Sequence, residues 1–348
     1  MRLTFNVLLV CGIIGINCLI LFKIVDMISK DKKIRWGILG CGKIAEKFAS
    51  DLALSKNSVL LACASRSIEK SERFARNYHA AYFYDSYEEL VTCPNVDVIY
   101  IATPNSFHLD HSLLCLKNKK AVLCEKPLAL NKFQVEEIIQ VAKENNVFLM
   151  EAMWTSCLPN ILQIQNTIKN GKIGEIIHLS ADFGFKADYD PKSRLFDPNL
   201  GGGSLLDIGI YPLYISLLLM GKPTKIQSSL HYTKSGVDAS CTVLLSYANE
   251  ETASLFSSFE TFTAIKCEIY GTKGRITIPT NFHEQSHHKI MIEGLADQLV
   301  QSEKIGYGYF YEIEHVNECL YQGLEESYLM PLKMSIDLME LMDEIRIK

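Results

Sequence analysis

Apolar and polar positions alternate along this chain in two rhythms, and the change falls just after residue 152. In the first half, short apolar runs alternate with stretches of helical spacing. Ile34–Leu39, Val59–Ala64, Ala81–Tyr84, Val96–Ile101, Ala121–Cys124 and Val147–Met150 read as strands. Helices are predicted through Ile44, Phe48 and Leu52, and over Ile68–Tyr78, Tyr87–Thr92, Phe107–Lys117 and Lys132–Glu144. Short apolar strands alternating with helices predict a parallel sheet covered on both faces, the doubly wound dinucleotide-binding architecture.

In the second half a helix (about Ile161–Asn170) and a long strand (Glu175–Phe185) precede the apolar helical stretch Ser204–Met220. Strands then follow without helices between them: Lys225–Thr233, Ala239–Ala248, Thr252–Glu260, Ile265–Tyr270, Arg275–Pro279 and Lys289–Glu293. Gly271-Thr272-Lys273-Gly274 reads as a hairpin turn. Hairpin succession predicts a mostly antiparallel open sheet, closed by helices over Tyr309–Gly323 and Leu332–Ile345. The expected fold class is therefore α/β: an N-terminal Rossmann domain (34–152) and a C-terminal α+β domain (153–348), behind a leader (1–33).

Composition narrows the picture. Apolar residues make up 48% and charged residues 22%, enough for a large core and against disorder. A net charge of −5 without a basic run argues against a nucleic-acid partner. The 11 cysteines include no CxxC and no metal-ligand spacing, and read as reduced core residues; no metal is expected. His283, His287 and His288 read as a surface loop. Leu3–Phe22 is uncharged and about long enough to span a bilayer, with the heavier positive charge after it. Two readings stay open: a membrane anchor, or a leader bypassed by a start at Met27. Both place the globular part in the cytoplasm.

The candidate chemistry lies at strand ends. Gly40-Cys41-Gly42-Lys43-Ile44-Ala45 fits G-x-G-x-x-A between a strand and a helix. Gly40 makes the turn, Gly42 admits a pyrophosphate, Ala45 allows close packing, and Lys43 and Ile44 open the helix. The second strand ends in Ser65-Arg66-Ser67 where an NAD site carries an acid, so NADP is favoured over NAD. Two further loops, Thr103-Pro104-Asn105 through His108 and Glu125-Lys126-Pro127, stand at the ligand-binding edge. In GGGSLLDIGIY (201–211), the glycines admit a close approach and Ser204 is placed to cap a helix. Asp207 and Tyr211, four apart, would share a helix face, and Pro212 would kink the helix or start a new turn.

WGILGCGKIA, ATPNSFH, CEKPLAL, FLMEAMW and GGGSLLDIGIYPL together resemble the glucose–fructose oxidoreductase (Gfo/Idh/MocA) family from about residue 34 to the C-terminus. The resemblance implies an NADP-dependent oxidoreductase, most like the branch that oxidises trans-dihydrodiols to catechols and D-xylose to its lactone. It implies Lys126 and Tyr211 as the catalytic pair and Arg66 as the holder of the 2′-phosphate. Cofactor contacts would include Thr103, Pro104, Asn105, His108 and Glu125. Trp154, Phe183, His108 and Asp207 would face the substrate, and the open sheet face would make a homodimer. The expectation for mechanism is that the Lys126 ammonium stabilises a Tyr211 phenolate, with Asp207 in support. An NADPH-dependent sugar or keto-sugar reductase and a non-catalytic NADP-binding sensor are the alternatives. One departure is Ser156, where the family often has arginine.

Overall fold

The computed structural model describes residues 33–347, so the Leu3–Phe22 segment and Met27 lie outside the described residues. Six strands form the first sheet: β1 (Ile34–Leu39), β2 (Ser58–Ala64), β3 (Tyr82–Tyr84), β4 (Val98–Ile101), β5 (Ala121–Glu125) and β6 (Leu149–Ala152). Their order is β3-β2-β1-β4-β5-β6, and every pairing is parallel. All four residues of β4 are buried, as a strand with helices on both faces requires. The crossovers are α1 (Lys43–Leu52), α2 (Ile68–Tyr78), α3 (Tyr87–Thr92), α4 (His108–Lys117) and α5 (Lys132–Asn145). Ser67, Ser86 and Asn131 cap α2, α3 and α5, each side chain accepting a first-turn N–H.

A 3₁₀ turn (Trp154–Cys157) and α6 (Pro159–Lys169) lead into the second sheet. Its strands are β7 (Ile176–Gly184), β8 (Lys225–Tyr232), β9 (Asp238–Ser246), β10 (Thr252–Ser258), β11 (Cys267–Gly271), β12 (Gly274–Ile278), β13 (His288–Ile292) and β14 (Gln298–Val300). The order is β14-β13-β12-β11-β7-β10-β9-β8, with only β7 and β10 parallel. β14 was not expected: three residues without alternation carry too little pattern to read. β13 begins at a fully buried His288, so this histidine belongs to the core and not to a surface loop.

One sheet face is covered by α7 (Ile210–Met220), which packs on β7 and β10. Its stretch Pro198–Met220 is apolar enough to cross a membrane, yet is mostly buried in the protein. The other face is open. Cross-strand rows there join Leu244, Ser254, Ser180 and Glu268, and Thr242, Phe256 and Asp182. Just before α7 the chain makes a π turn (Leu205–Gly209). The helical hydrogen-bond ladder therefore changes spacing just upstream of Pro212, which sits in the first turn of α7. Ser204 does not cap this helix as expected. Its hydroxyl donates to Asp238 Oδ2 at 2.7 Å, and Leu205 N–H donates to the same oxygen at 2.7 Å. Gly203, at φ +117°, lies against that carboxylate, where a side chain would collide.

The expected boundary at 153 separates the two sheets but not the last forty or so residues. α8 (Phe310–Tyr321) and α9 (Leu332–Ile347) return to the first domain. Trp36 Nε1 donates to Asn317 Oδ1 at 3.1 Å, and Leu149 N–H donates to Glu325 O at 3.1 Å beside β6. Lys132 N–H, opening α5, donates to Asp343 Oδ2 of α9 at 2.8 Å. Asp51 of α1, buried, accepts the N–H groups of Tyr307, Gly308 and Phe310 and so caps α8 from the other domain. Asp51→Ala strands those donors and is expected to cost about 1–3 kcal/mol in urea unfolding. An unchanged midpoint would show that this cap does not fasten α8.

Candidate active site

A cleft of about 630 Å³ runs along the carboxyl ends of β1, β2, β4 and β5. It is lined by Gly40, Gly42, Lys43, Ile44, Ser65, Arg66, Thr103, Pro104, Asn105, Glu125 and Lys126 of the first domain, and by Arg194 and Asp207 of the second. Ala45 lies beneath it, fully buried, as a packing residue would. Gly40 has φ +98°, and a Cβ there would press on Ala102 O and Thr103 Cγ2, each at 3.0 Å. A Cβ on Gly42 would meet nothing within 4 Å and would stand in the cleft. A Gly-walled cleft at a helix start, with cations beside it, fits a dinucleotide diphosphate. Lys47 and Lys70 also line it. Lys47 follows Lys43 by one helical turn, a spacing legible in the sequence. Ser67 is occupied as the cap of α2 and donates to Glu69, leaving Ser65 and Arg66 at the strand end.

His108 is a correction. It is fully buried and does not line the cleft. Its Nδ1 lies 2.7 Å from Pro127 O and its Nε2 2.9 Å from Thr103 O, so the ring braces the two cofactor loops against each other. Burial pushes its pKa down although both carbonyls oppose this, and a neutral ring donates to one of them at a time. Phe183 and Trp154 do not line this cleft; they belong to the aromatic group around Tyr211 described below.

Lys126 follows β5, and its peptide to Pro127 is cis. The Lys126 Nζ donates to the backbone carbonyl of Asp207 at 2.5 Å and approaches Asp207 Oδ1 at 3.3 Å. Arg194 Nη1 donates to the same Oδ1 at 3.0 Å from an exposed position on the cleft rim. Burial works to raise the pKa of Asp207, but the charges and hydrogen bonds of Lys126 and Arg194 outweigh it and hold the carboxyl below its usual range. Asp207 is thus an ionised bridge and the direct partner of Lys126. Arg194 was not identified from sequence, because it lies in an irregular loop with no motif around it.

Tyr211 stands close by: Lys126 Nζ lies 5.0 Å from the centroid of its ring. Burial, then the charges of Glu125 and Asp207, push its pKa well above the usual value. The net shift of the phenol is therefore upward, contrary to the expectation from sequence: burial and the neighbouring carboxylates outweigh the Lys126 ammonium, whose hydrogen bonds go to Asp207. Glu125 itself is raised, chiefly by burial, and accepts the Tyr100 hydroxyl.

Tyr211 belongs to an aromatic wall with Phe183 at 5.6 Å and His283 at 5.0 Å between ring centroids. Trp154 joins at 6.0 Å from His283 and packs on Tyr309 at 4.7 Å. His283 is therefore part of the site wall rather than a surface loop; the polar residues that follow Phe282 in sequence hid the buried position. Ser156, two residues from Trp154, is buried in the 3₁₀ turn, with its hydroxyl 3.4 Å from Cys157 Sγ. The glycines behave as two groups: Gly201 approaches Asn105 of the first domain, whose Nδ2 donates to Gly201 O at 3.1 Å, while Gly202 and Gly203 pack within the second.

Comparison with known proteins fits this arrangement. Residues 34–153 match the oxidoreductase family with an NAD-binding Rossmann fold, and residues 161–277 match the GFO/IDH/MocA C-terminal domain. The chain belongs to the GFO/IDH/MocA oxidoreductase family. It is similar to trans-1,2-dihydrobenzene-1,2-diol dehydrogenase of Xenopus tropicalis, at 36% identity over 89% of this chain and 96% of the relative. The Mus musculus enzyme of that name is also 36% identical, over 90% of this chain and 96% of its own. Among solved structures, the 3-ketoreductase KijD10 of Actinomadura kijaniata, in complex with NADP and TDP-benzene, superposes with a TM-score of 0.82 at 25% identity, over 91% of this chain and 98% of that one. An aldose-aldose oxidoreductase of Caulobacter crescentus shares the fold at a TM-score of 0.84 and 23% identity, over 91% and 97% of the two chains. The chain is thus an oxidoreductase whose first domain is a nicotinamide-dinucleotide module. Gly42→Val is expected to leave the unfolding temperature unchanged and to weaken dinucleotide binding at least roughly tenfold in a fluorescence titration; wild-type affinity would show that the cofactor lies elsewhere.

Proposed function

We propose that this protein oxidises a secondary alcohol of a trans-dihydrodiol or of D-xylose with NADP, using Tyr211 and Lys126 as its acid–base pair. The observation that carries this is the meeting of Lys126, from the end of β5, with Asp207 and Tyr211 of the second domain, beside the cleft that Lys126 and Asp207 line. The curated relatives bear the dihydrodiol dehydrogenase name, which supports the diol as substrate; the sugar arm rests on the family resemblance.

Gly40, Gly42 and Lys43 would hold the diphosphate. Arg66, Ser65 and Lys70 would hold the 2′-phosphate, since arginine and lysine beside a strand end without an acid suit a phosphate rather than a free ribose hydroxyl. When bound, oxidised nicotinamide supplies a hydride acceptor and a positive charge. Tyr211 takes the hydroxyl proton as the C–H bond breaks. Tyr211 acts in its phenolate form and ends as the neutral phenol; Lys126, fixed by Asp207, places a positive charge over the ring and stabilises that phenolate before the transfer. Asp207 fixes the ammonium in place and stays ionised because two cations face it. A dihydrodiol so oxidised gives a hydroxyketone that tautomerises to a catechol; a pyranose gives a lactone.

The raised phenol also favours a second reading, reduction of a keto-sugar with NADPH, because a protonated Tyr211 is poised as a donor. The two readings differ in direction only. The open face of the second sheet, with Leu244 and Phe256 among polar residues, is where we place the contact of a homodimer.

Lys126→Met and Tyr211→Phe are expected to lower the rate of NADP reduction by about 10²–10⁴; full activity in both would remove the pair. Arg66→Ala is expected to raise the KM for NADP at least roughly tenfold while leaving that for NAD within about twofold, and equal effects would argue against a 2′-phosphate contact. Because Tyr211 is raised, its base form grows as pH rises. Oxidation should therefore climb with pH above neutrality while reduction holds level or falls. An oxidation rate flat from pH 6 upward would contradict Tyr211 as the base.

A further inference from the structure

The loop between β12 and β13 carries His283 into the wall made by Phe183, Tyr211 and Trp154, with ring centroids 4.4, 5.0 and 6.0 Å away. Its position is fixed. Its carbonyl accepts the Thr155 hydroxyl at 2.9 Å, and the neighbouring Phe282 is fully buried, with its N–H donating to Ile265 O at 3.1 Å. The His283 ring is 8% exposed, and its Nδ1 has no hydrogen-bond partner. Nε2 has only Glu284 Oε1, at 3.6 Å, beyond hydrogen-bond range. In the same wall Trp154 Nε1 is also buried and unpartnered.

Burying such a group unmet is costly, so two of them in one aromatic wall call for an explanation. A phenylalanine at position 283 would carry no such cost. Burial, then the charges of Lys126 and Lys304, pushes the imidazole down to about 3. The ring is accordingly neutral, with one nitrogen a donor and the other an acceptor, the form suited to an uncharged hydroxyl. The surrounding rings offer a flat apolar face to a carbocycle or a pyranose.

We propose that His283, with Trp154, hydrogen-bonds the hydroxyl next to the one oxidised, and so selects vicinal diols and polyhydroxylated rings over simple secondary alcohols. This rests on the dehydrogenase reading above. His283 is then a specificity-determining residue: it touches the part of the substrate that does not react, while Tyr211 handles the proton that does. A site built to meet a hydroxyl discriminates strongly against the analogue lacking it, because its own polar groups are then left unpaired.

The test compares trans-1,2-cyclohexanediol with cyclohexanol in NADP reduction by the wild type, His283→Phe and His283→Gln. The wild type is expected to prefer the diol. His283→Phe should lower kcat/KM for the diol by roughly tenfold or more, mainly through KM, and that for cyclohexanol by less than about threefold. His283→Gln should recover part of the diol preference. As a readout independent of turnover, the His283 imidazole nitrogens of ¹⁵N-histidine-labelled protein should shift when the diol is added, and not with cyclohexanol. Equal losses on both alcohols, an unchanged preference, or nitrogens insensitive to the diol would overturn the assignment. If the wild type reduced NADP with neither alcohol nor with any dihydrodiol or aldose, the dehydrogenase reading would fall and this assignment with it, a result distinct from an active enzyme whose preference ignores His283.

Discussion

The contact on which the site depends is the Lys126 ammonium held by the backbone carbonyl and carboxylate of Asp207. Lys126 comes from the end of a strand of the first sheet and Asp207 from the π turn that precedes α7, so this ion pair joins the two domains at the place where chemistry is expected. Asp207 is nearly buried, and a carboxylate so placed needs its charge met. Lys126 meets it from below and Arg194 from the rim. With the charge settled, the phenol of Tyr211 is left beside a fixed cation, in a wall that excludes water.

Much of this was legible in the sequence, for identifiable reasons. The strand–helix rhythm of the first half is a strong periodic signal, and the Gly40–Ala45 turn is informative because of where it falls. The second sheet was readable as hairpins, yet the parallel pairing of β7 with β10 was not, since it joins strands distant in sequence and leaves no local trace. The same limit explains the C-terminal helices. Nothing local to Phe310 says that an aspartate in α1 will cap it.

The misreadings of the site share a cause. His108 sits in a motif loop and His283 in a connection rich in histidine and polar residues, and reading by segment gave each the character of its segment. Folding inverts both: His108 becomes a buried brace, and His283 enters an aromatic wall. Helix spacing paired Asp207 with Tyr211, and the choice of Lys126 as the partner of Tyr211 left Asp207 in support; the π turn presents both its carbonyl and its carboxylate to Lys126. Backbone acceptors of this kind are invisible to motif reading.

The most direct test of the central claim is a double-mutant cycle on kcat/KM for NADP-dependent alcohol oxidation, using Lys126→Met, Asp207→Asn and the pair. If Asp207 acts by holding Lys126, the double variant should be no worse than the weaker single variant by more than about threefold. Losses that multiply would show that the two residues act independently, and that the contact between the domains is not what positions the acid–base machinery.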